Sequence, residues 1–217
     1  MSLPEREIYR QRFQGEAKFR QMLWSILCEH WFQRWVTEDA TVLEIAAGHC
    51  EFINSIRAGK KLAVDINPDT VSHANEDVEV IITSSTELDG IDSESVDVVF
   101  VSNFFEHISK DDIVATVEQA KRVLRRGGQI LILQPNIRFT ARDYWMFFDH
   151  VTPVDDRALR EMLDVLGFET TVQLPKFLPY TTKSRYPRAP FLIRAYLRMP
   201  FLFRFFGGQA FLVAKKP

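Results

Sequence analysis

Residues 41–67, TVLEIAAGHCEFINSIRAGKKLAVDIN, constrain the fold more than any other stretch of the chain. Thr41 to Ala46 is an apolar run of strand length. Gly48 follows two residues later, where a sharp reversal needs a residue that tolerates positive φ or close backbone approach. A helix is expected to open near Glu51 and to carry Phe52, Ile53 and Ile56 toward a sheet. Leu62 to Val64 then reads as a second buried strand, with Asp65 at its carboxyl end. Ligands of an open α/β sheet bind at that edge, and an acid about 20 residues past the turn suits the two hydroxyls of a ribose. The neighbouring helix N-terminus favours electron-rich groups. The layout is that of a nucleoside site.

Two better-known nucleotide turns are excluded. A dinucleotide fold asks for G-x-G-x-x-G, and the corresponding positions here are Ala46, Gly48 and Glu51. A phosphate-binding P-loop asks for Lys-Ser or Lys-Thr after its glycines, and none follows. The turn makes little provision for a pyrophosphate.

Elsewhere, apolar periodicity predicts a short helix over Glu5 to Phe13 and one long helix from Gln14 to Val36. Strands are expected at 41–46, 61–65, 78–82, 96–102 and 129–134, then over Phe168 to Leu174 and Gln209 to Ala214. Ser109 with Asp112 forms a capping pattern for a helix over Lys110 to Arg125, which Gly127 ends. Asp155 to Leu166 makes another helix, with Gly167 at its C-terminal end. Alternating strands and helices imply a doubly wound, mainly parallel α/β sheet with helices on both faces. A chain of 217 residues suits one such domain. Its expected parts are an N-terminal helical cap (1–38), a core (39–174), a basic aromatic insert (175–206) and a final strand (207–217).

The motifs resemble those of the class I S-adenosylmethionine-dependent methyltransferases, whose first motif is written V-L-D/E-x-G-x-G-x-G. Here it stands as Val42-Leu43-Glu44-Ile45-Ala46-Ala47-Gly48-His49-Cys50, so Ala46 and Cys50 replace two of the glycines. Val64-Asp65-Ile66-Asn67-Pro68 is similar to the second motif. Ser95 to Phe100 followed by Asn103-Phe104-Phe105-Glu106-His107-Ile108 is similar to the fourth, and Arg122 to Ile130 resembles the turn after it. The resemblance implies a Rossmann-like sheet of seven strands with the last antiparallel, and S-adenosylmethionine as cofactor. It implies a cofactor lying against Glu44, Ala46, Gly48, Asp65 and Ile66. Ser84 and Ser85 would follow where the family often has an acid for the adenine, and Asn103 and Phe104 would line the methionine end. Arg12, with Tyr9 and Phe13 in an N-terminal lid, is expected to meet the cofactor carboxylate.

Methyl transfer to a hydroxyl gains from a positioned base. Two candidates stand open: His107 beyond the fourth strand, and His150 beside Asp149 in the aromatic stretch Asp143 to His150. No metal is expected, because His30, His49 and His73 have no ligand-like spacing with a carboxylate or thiol. The expected acceptor is a small molecule, a saccharide or a lipid-linked compound, and part of the tail resembles bacterial methyltransferases of glycan pathways. The alternative is a silent domain that binds the nucleoside to sense it or to scaffold a partner. Nucleic acid is not expected as a partner, since an N/D-P-P-Y type motif is lacking and the core is acidic.

Charge is unevenly spread. Residues 170–217 hold nine Lys and Arg, seven phenylalanines and no acid, whereas the first 169 residues balance 18 basic groups against 29 acids. Within this tail, 176–206 has two readings: an insert packing its aromatics on the sheet, or a basic amphipathic docking surface for a lipid-linked acceptor or membrane. Two cysteines without metal spacing, no apolar leader and no long apolar run lead to the expectation of a cytoplasmic protein, with peripheral contact to the inner membrane through 176–206 in the second reading.

Overall fold

Side chains alternate along the central strands between two apolar layers, as the period of two requires. Val42, Val98, Phe100, Leu131, Leu133, Phe211 and Val213 face one layer. Leu43, Ile45, Val99, Val101, Ile130, Ile132 and Leu212 face the other. Strands buried on both faces imply helices on both sides, and that is the arrangement found in the computed structural model, which describes residues 15–180 and 189–217.

Seven strands form the sheet: β1 (Thr41–Ile45), β2 (Lys60–Asp65), β3 (Val78–Ile82), β4 (Val96–Ser102), β5 (Leu124–Pro135), β6 (Glu169–Leu174) and β7 (Gln209–Lys215). Their order is β3-β2-β1-β4-β5-β7-β6, parallel except for β7, which runs antiparallel to both its neighbours. The order reverses between β1 and β4, the switch point at which such sheets open a crevice. The helices are α1 (Ala17–His30), α2 (Glu51–Ser55), α3 (Lys110–Val123), α4 (Ile137–Tyr144), α5 (Asp156–Val165), α6 (Pro190–Arg198) and α7 (Phe203–Phe206). α1, α2, α6 and α7 contribute to the first layer, and α3 and α5 to the second.

The first layer is built on aromatics. Phe52 of α2 stacks on Phe100 of β4 with ring centroids 3.7 Å apart, and Trp24 and Phe32 meet both edge-on. The cluster continues through Phe211 and Phe177 to Trp31 and Phe203. It therefore joins the N-terminal helix, the turn after β1, the sheet and the insert.

Several boundaries differ from the sequence expectation, each for a local reason. The helix expected over Gln14 to Val36 runs only from Ala17 to His30. Trp31 leaves the helical region (φ −131°), and Phe32–Trp35 follow as a 3-10 turn that buries Phe32. The helix expected to reach Arg125 stops at Val123, because Leu124 is extended and pairs with Val96. Gly127 takes φ +81°, and a side chain at Gly128 would press on the carbonyls of Arg125 and Asp97 at 3.0 Å. The capping pattern holds: the Ser109 hydroxyl accepts from the Asp112 amide (3.1 Å) and donates to its carboxylate (2.7 Å). The helix expected over Glu5 to Phe13, and Tyr9, Arg12 and Phe13 with it, lie outside the described residues.

The insert divides its aromatics. Phe177, Leu197 and Phe203 are buried, whereas Phe191, Phe201 and Phe205 are 67%, 64% and 70% exposed. The reading in which the insert packs its aromatics on the sheet therefore holds for the first set only.

Phe100→Ala should lower the unfolding free energy by about 3–5 kcal/mol in a denaturant titration, since the ring is fully buried against three other aromatics. A loss below about 1 kcal/mol would show that this layer does not carry the fold.

Candidate active site

The turn after β1 adopts left-handed backbone at every second residue: Ala46 (φ +56°), Gly48 (φ +50°) and Cys50 (φ +56°). Ala46 and Cys50 thus take the conformation that glycine adopts without steric cost, at a penalty of roughly 1–2 kcal/mol each for an L side chain. Three side chains hold the turn. Buried Glu44 accepts a hydrogen bond from the Ile53 amide in α2 (3.0 Å). Asp65 accepts from the Gly48 amide (2.8 Å) and, through its other oxygen, from the Asn67 amide (2.8 Å). Arg20 on α1 makes a two-pronged ion pair with Glu51 at the start of α2, tying the N-terminal helix to the turn.

The remaining site residues lie at the same, carboxyl edge of the sheet. Asp65 and Ile82 are paired neighbours across β2 and β3, and Ile66 and Ile82 are each about half exposed beside the carboxylate (49% and 46%). Ser84 bonds Thr86 (2.8 Å), and Ser85 bonds Thr116 (2.9 Å). Asn103 is exposed at φ +47°, with its amide donating to the Leu133 carbonyl (2.9 Å), and the Phe104 amide lies 3.4 Å from the Gln134 side-chain carbonyl. Burial raises the carboxyl pKa of Asp65, opposed by the amides of Asn67 and Gly48. Burial likewise pushes Glu44 well above the carboxylate range.

Beyond α4 the chain folds back over the end of β4. The amides of Val151 (2.8 Å) and Thr152 (3.1 Å) donate to the Glu106 carbonyl. The Thr152 hydroxyl donates to the Ile108 carbonyl (2.6 Å), and the Tyr144 hydroxyl to the Thr152 carbonyl (2.6 Å). This stapling sets both candidate histidines in one cluster. His107 Nδ1 lies 3.1 Å from the Asp149 backbone carbonyl and 3.3 Å from a carboxylate oxygen of the same residue, and its Nε2 lies 3.7 Å from Glu106. His150 is buried among the rings of Tyr144, Phe147 and His107, with centroids 4.7, 5.1 and 4.9 Å away. The sequence set Asp149 beside His150; in the structure its carboxylate faces His107 instead.

Sequence spacing missed Glu106. It is buried, bonded by the Gln134 amide, and burial raises its pKa. Ligand atoms of Glu106, His107 and His150 lie within 4.8 Å of one another, close enough to share a cation. Linear spacing could not show this group, because His150 arrives through the stapled loop.

Residues 43–132 match the model of the methyltransferase domain family. No curated protein matches the chain. Among solved structures, an S-adenosylmethionine-dependent methyltransferase of Archaeoglobus fulgidus shares the fold (21% identity, 94% of this chain and 99% of that one, TM-score 0.67). One of Thermotoga maritima does so over 96% and 98% (16% identity, TM-score 0.68). Geranyl diphosphate C-methyltransferase of Streptomyces coelicolor, solved with Mg2+, geranyl diphosphate and S-adenosyl-L-homocysteine, covers 87% and 80% (9% identity, TM-score 0.61).

The buried Glu44 gives a pH-dependent expectation. A carboxyl whose pKa is raised on folding binds its proton more tightly folded, so stability is greatest below the unfolded pKa and falls as pH rises toward the folded one. Glu44→Gln, which mimics the protonated form, should flatten that fall relative to the unaltered protein in unfolding measured from acid to neutral pH. Glu44→Ala should cost about 1–3 kcal/mol, because it leaves the Ile53 amide without its acceptor. Parallel pH curves for the Gln variant and the parent would show that the carboxylate carries no burial penalty.

Residues 43–132 thus match the methyltransferase domain family, within a sheet whose strand order and single antiparallel strand are those that the resemblance to class I S-adenosylmethionine-dependent methyltransferases implied.

Proposed function

We propose that the enzyme methylates a hydroxyl of a small-molecule, saccharide or lipid-linked acceptor, with His107 as the base that receives the acceptor proton. The observation that carries this reading is the imidazole of His107, partly exposed between the carboxylates of Asp149 and Glu106 at the carboxyl end of the sheet. When bound, S-adenosylmethionine supplies an electrophilic methyl group on a cationic sulfur.

The residues present fit that cofactor. Each oxygen of Asp65 accepts one backbone amide and keeps lone-pair capacity for a ribose hydroxyl. The exposed Ile66 and Ile82 offer an apolar surface beside it for a purine ring, with Ser84 and Ser85 next in the chain. Ala46, Gly48 and Asn103 present backbone along the crevice toward the methionine end, and Phe104 leads from there to His107. Glu44 acts from behind, by fixing α2 over the turn. The Asp149 backbone carbonyl orients the ring by accepting from Nδ1–H (3.1 Å), leaving the Nε2 lone pair for the acceptor, and the Asp149 and Glu106 carboxylates stabilise the imidazolium that results. Holding the acceptor oxygen in line supplies the larger part of the acceleration, roughly 7–11 kcal/mol in well-oriented systems. The prenyl diphosphate held by the Streptomyces enzyme supports an amphiphilic acceptor for this fold.

The grouping of Glu106, His107 and His150 favours a second reading, in which a divalent cation held there positions the acceptor. Dialysis against a chelator separates the two: turnover survives it in the first reading, and is lost and restored by added metal in the second. Tight binding of the nucleoside with no turnover on any acceptor would favour the silent-domain alternative.

Asp65→Ala should weaken S-adenosyl-L-homocysteine binding in calorimetry by about 1.5–3 kcal/mol, the worth of hydrogen bonds to a charged group. Because the folded pKa of Asp65 is raised, affinity should decline as pH falls through a range above that of an ordinary carboxylate, and this pH dependence should vanish in Asp65→Asn. Undiminished affinity in Asp65→Ala would place the ribose elsewhere.

His107→Ala should reduce kcat about 10²–10⁴-fold and remove the ascending limb of the pH–rate profile, with cofactor affinity unchanged. His150→Ala should act mainly through stability. The reverse pattern would make His150 the base.

A further inference from the structure

The insert carries more apolar surface than its packing uses. Ile193, Tyr196 and Leu197 of α6 and Phe203 of α7 join the aromatic layer, and the Tyr196 hydroxyl donates to the Phe177 carbonyl. With the insert so anchored, Phe191, Phe201 and Phe205 still stand outward. Between them stand Arg194, Arg198 and Arg204, all exposed. No acid occurs from residue 170 to 217. Bulky aromatics are poor helix formers, so neither the core nor local propensity accounts for them on this surface.

This surface runs on to the active-site edge. Lys176 donates to the Arg204 carbonyl (3.0 Å) and sits 4.5 Å over the ring of Phe139 on α4. At the end of α4, Trp145, Met146 and Phe148 are 54%, 60% and 91% exposed. The next residues are Asp149 and His150, beside His107. The stretch from α4 also carries Asp143, next to Arg142, and Asp149, which faces His107.

We propose that the outward face of α6 and α7, with the loop Trp145 to Phe148, docks into the headgroup region of an anionic lipid bilayer and opens the active-site edge toward an acceptor carried there. Aromatic side chains interleaved with arginines and free of acids are the composition that partitions to that interface: the rings enter the headgroup–acyl boundary and the guanidinium groups meet lipid phosphates. No helix among the described residues is long and apolar enough to cross a membrane, so the contact is peripheral. The choice of a membrane-borne acceptor rests on the methyltransferase reading above; the docking itself does not.

The full chain should be tested by co-sedimentation with vesicles of phosphatidylcholine alone and of phosphatidylcholine mixed with phosphatidylglycerol, without acceptor. Binding is expected to the anionic vesicles only, and to fall steeply with salt. The variant R194A/R198A/R204A should bind about a hundredfold more weakly, at roughly fivefold per basic group near an anionic surface. F201A/F205A should lose at least tenfold while its melting temperature stays within a degree or so of the parent, since both rings are already exposed. Both variants should bind S-adenosyl-L-homocysteine as the parent does. Equal affinity for neutral and anionic vesicles, undiminished binding by the arginine variant, or a dimer that dissociates in F201A/F205A without any vesicle binding would each overturn the proposal. Failure of the parent to bind S-adenosyl-L-homocysteine would instead sink the reading of the active site and leave the vesicle result intact.

Discussion

Three left-handed residues in five fix the geometry on which the rest of the site depends. Ala46, Gly48 and Cys50 reverse the chain within one turn, so α2 starts directly over the end of β1. Such a backbone is unfavourable for Ala46 and Cys50 by themselves, and it persists because its surroundings over-determine it. Glu44 pins the far side through Ile53, Asp65 the near side through Gly48, and Arg20 the start of α2 through Glu51. Cys50 is fully buried, with its thiol directed at the Thr70 carbonyl (3.8 Å), so its side chain fills space that glycine would leave open. The two departures from the family pattern are thus accommodated within the ordinary shape of the turn.

The sheet then determines which groups can meet. Apart from Glu44, which lies within β1, the candidate site residues among those described sit at or past the carboxyl end of a parallel strand, whereas the aromatic layer and the α3–α5 layer occupy the two faces. Backbone and hydroxyl bonds together bring the two histidines near each other: the Val151 and Thr152 amides close on the Glu106 carbonyl, and the Thr152 and Tyr144 hydroxyls hold the returning loop. His107 is reachable and has a carboxylate on either side, whereas His150 is packed in rings. Burial and partners, rather than residue type, separate the two histidines.

The inner strands were legible in the sequence because burial on both faces leaves near-continuous apolar runs, and β4 falls where its run is. The site edge was legible too, since Gly48 and Asp65 mark the ends of two such runs. What the sequence could not show depends on contacts between distant segments. The break at Trp31 follows from its ring packing on Phe177 and Phe203, more than 140 residues away. The strand pairing of Leu124 overrides a helical pattern that looked continuous to Arg125. The facing of Asp149 toward His107 needs the stapled loop, and neither neighbour in sequence announces it. For the insert, composition exposed the surplus of phenylalanine and arginine. Only the fold divides the rings that are packed from those that stand in solvent.

The carboxylates of the site suit the movement of charge in the proposed reaction. A positive charge enters with the cofactor, beside an edge that carries Asp65, Glu106 and Asp149. A bound cofactor would give up that charge with its methyl group, and in the proposed reaction the acceptor proton would place an equal charge on His107, 3.3 Å from the Asp149 carboxylate and 3.7 Å from Glu106. The total charge in the crevice is therefore unchanged between reactants and products, while its position shifts toward the two carboxylates. A partly desolvated site strengthens such fixed interactions, and they are already in place before the proton arrives. Burial makes this arrangement costly for Glu106, whose pKa is raised chiefly by desolvation and lowered first by His107. A positive charge on His107 would favour the ionised form of Glu106.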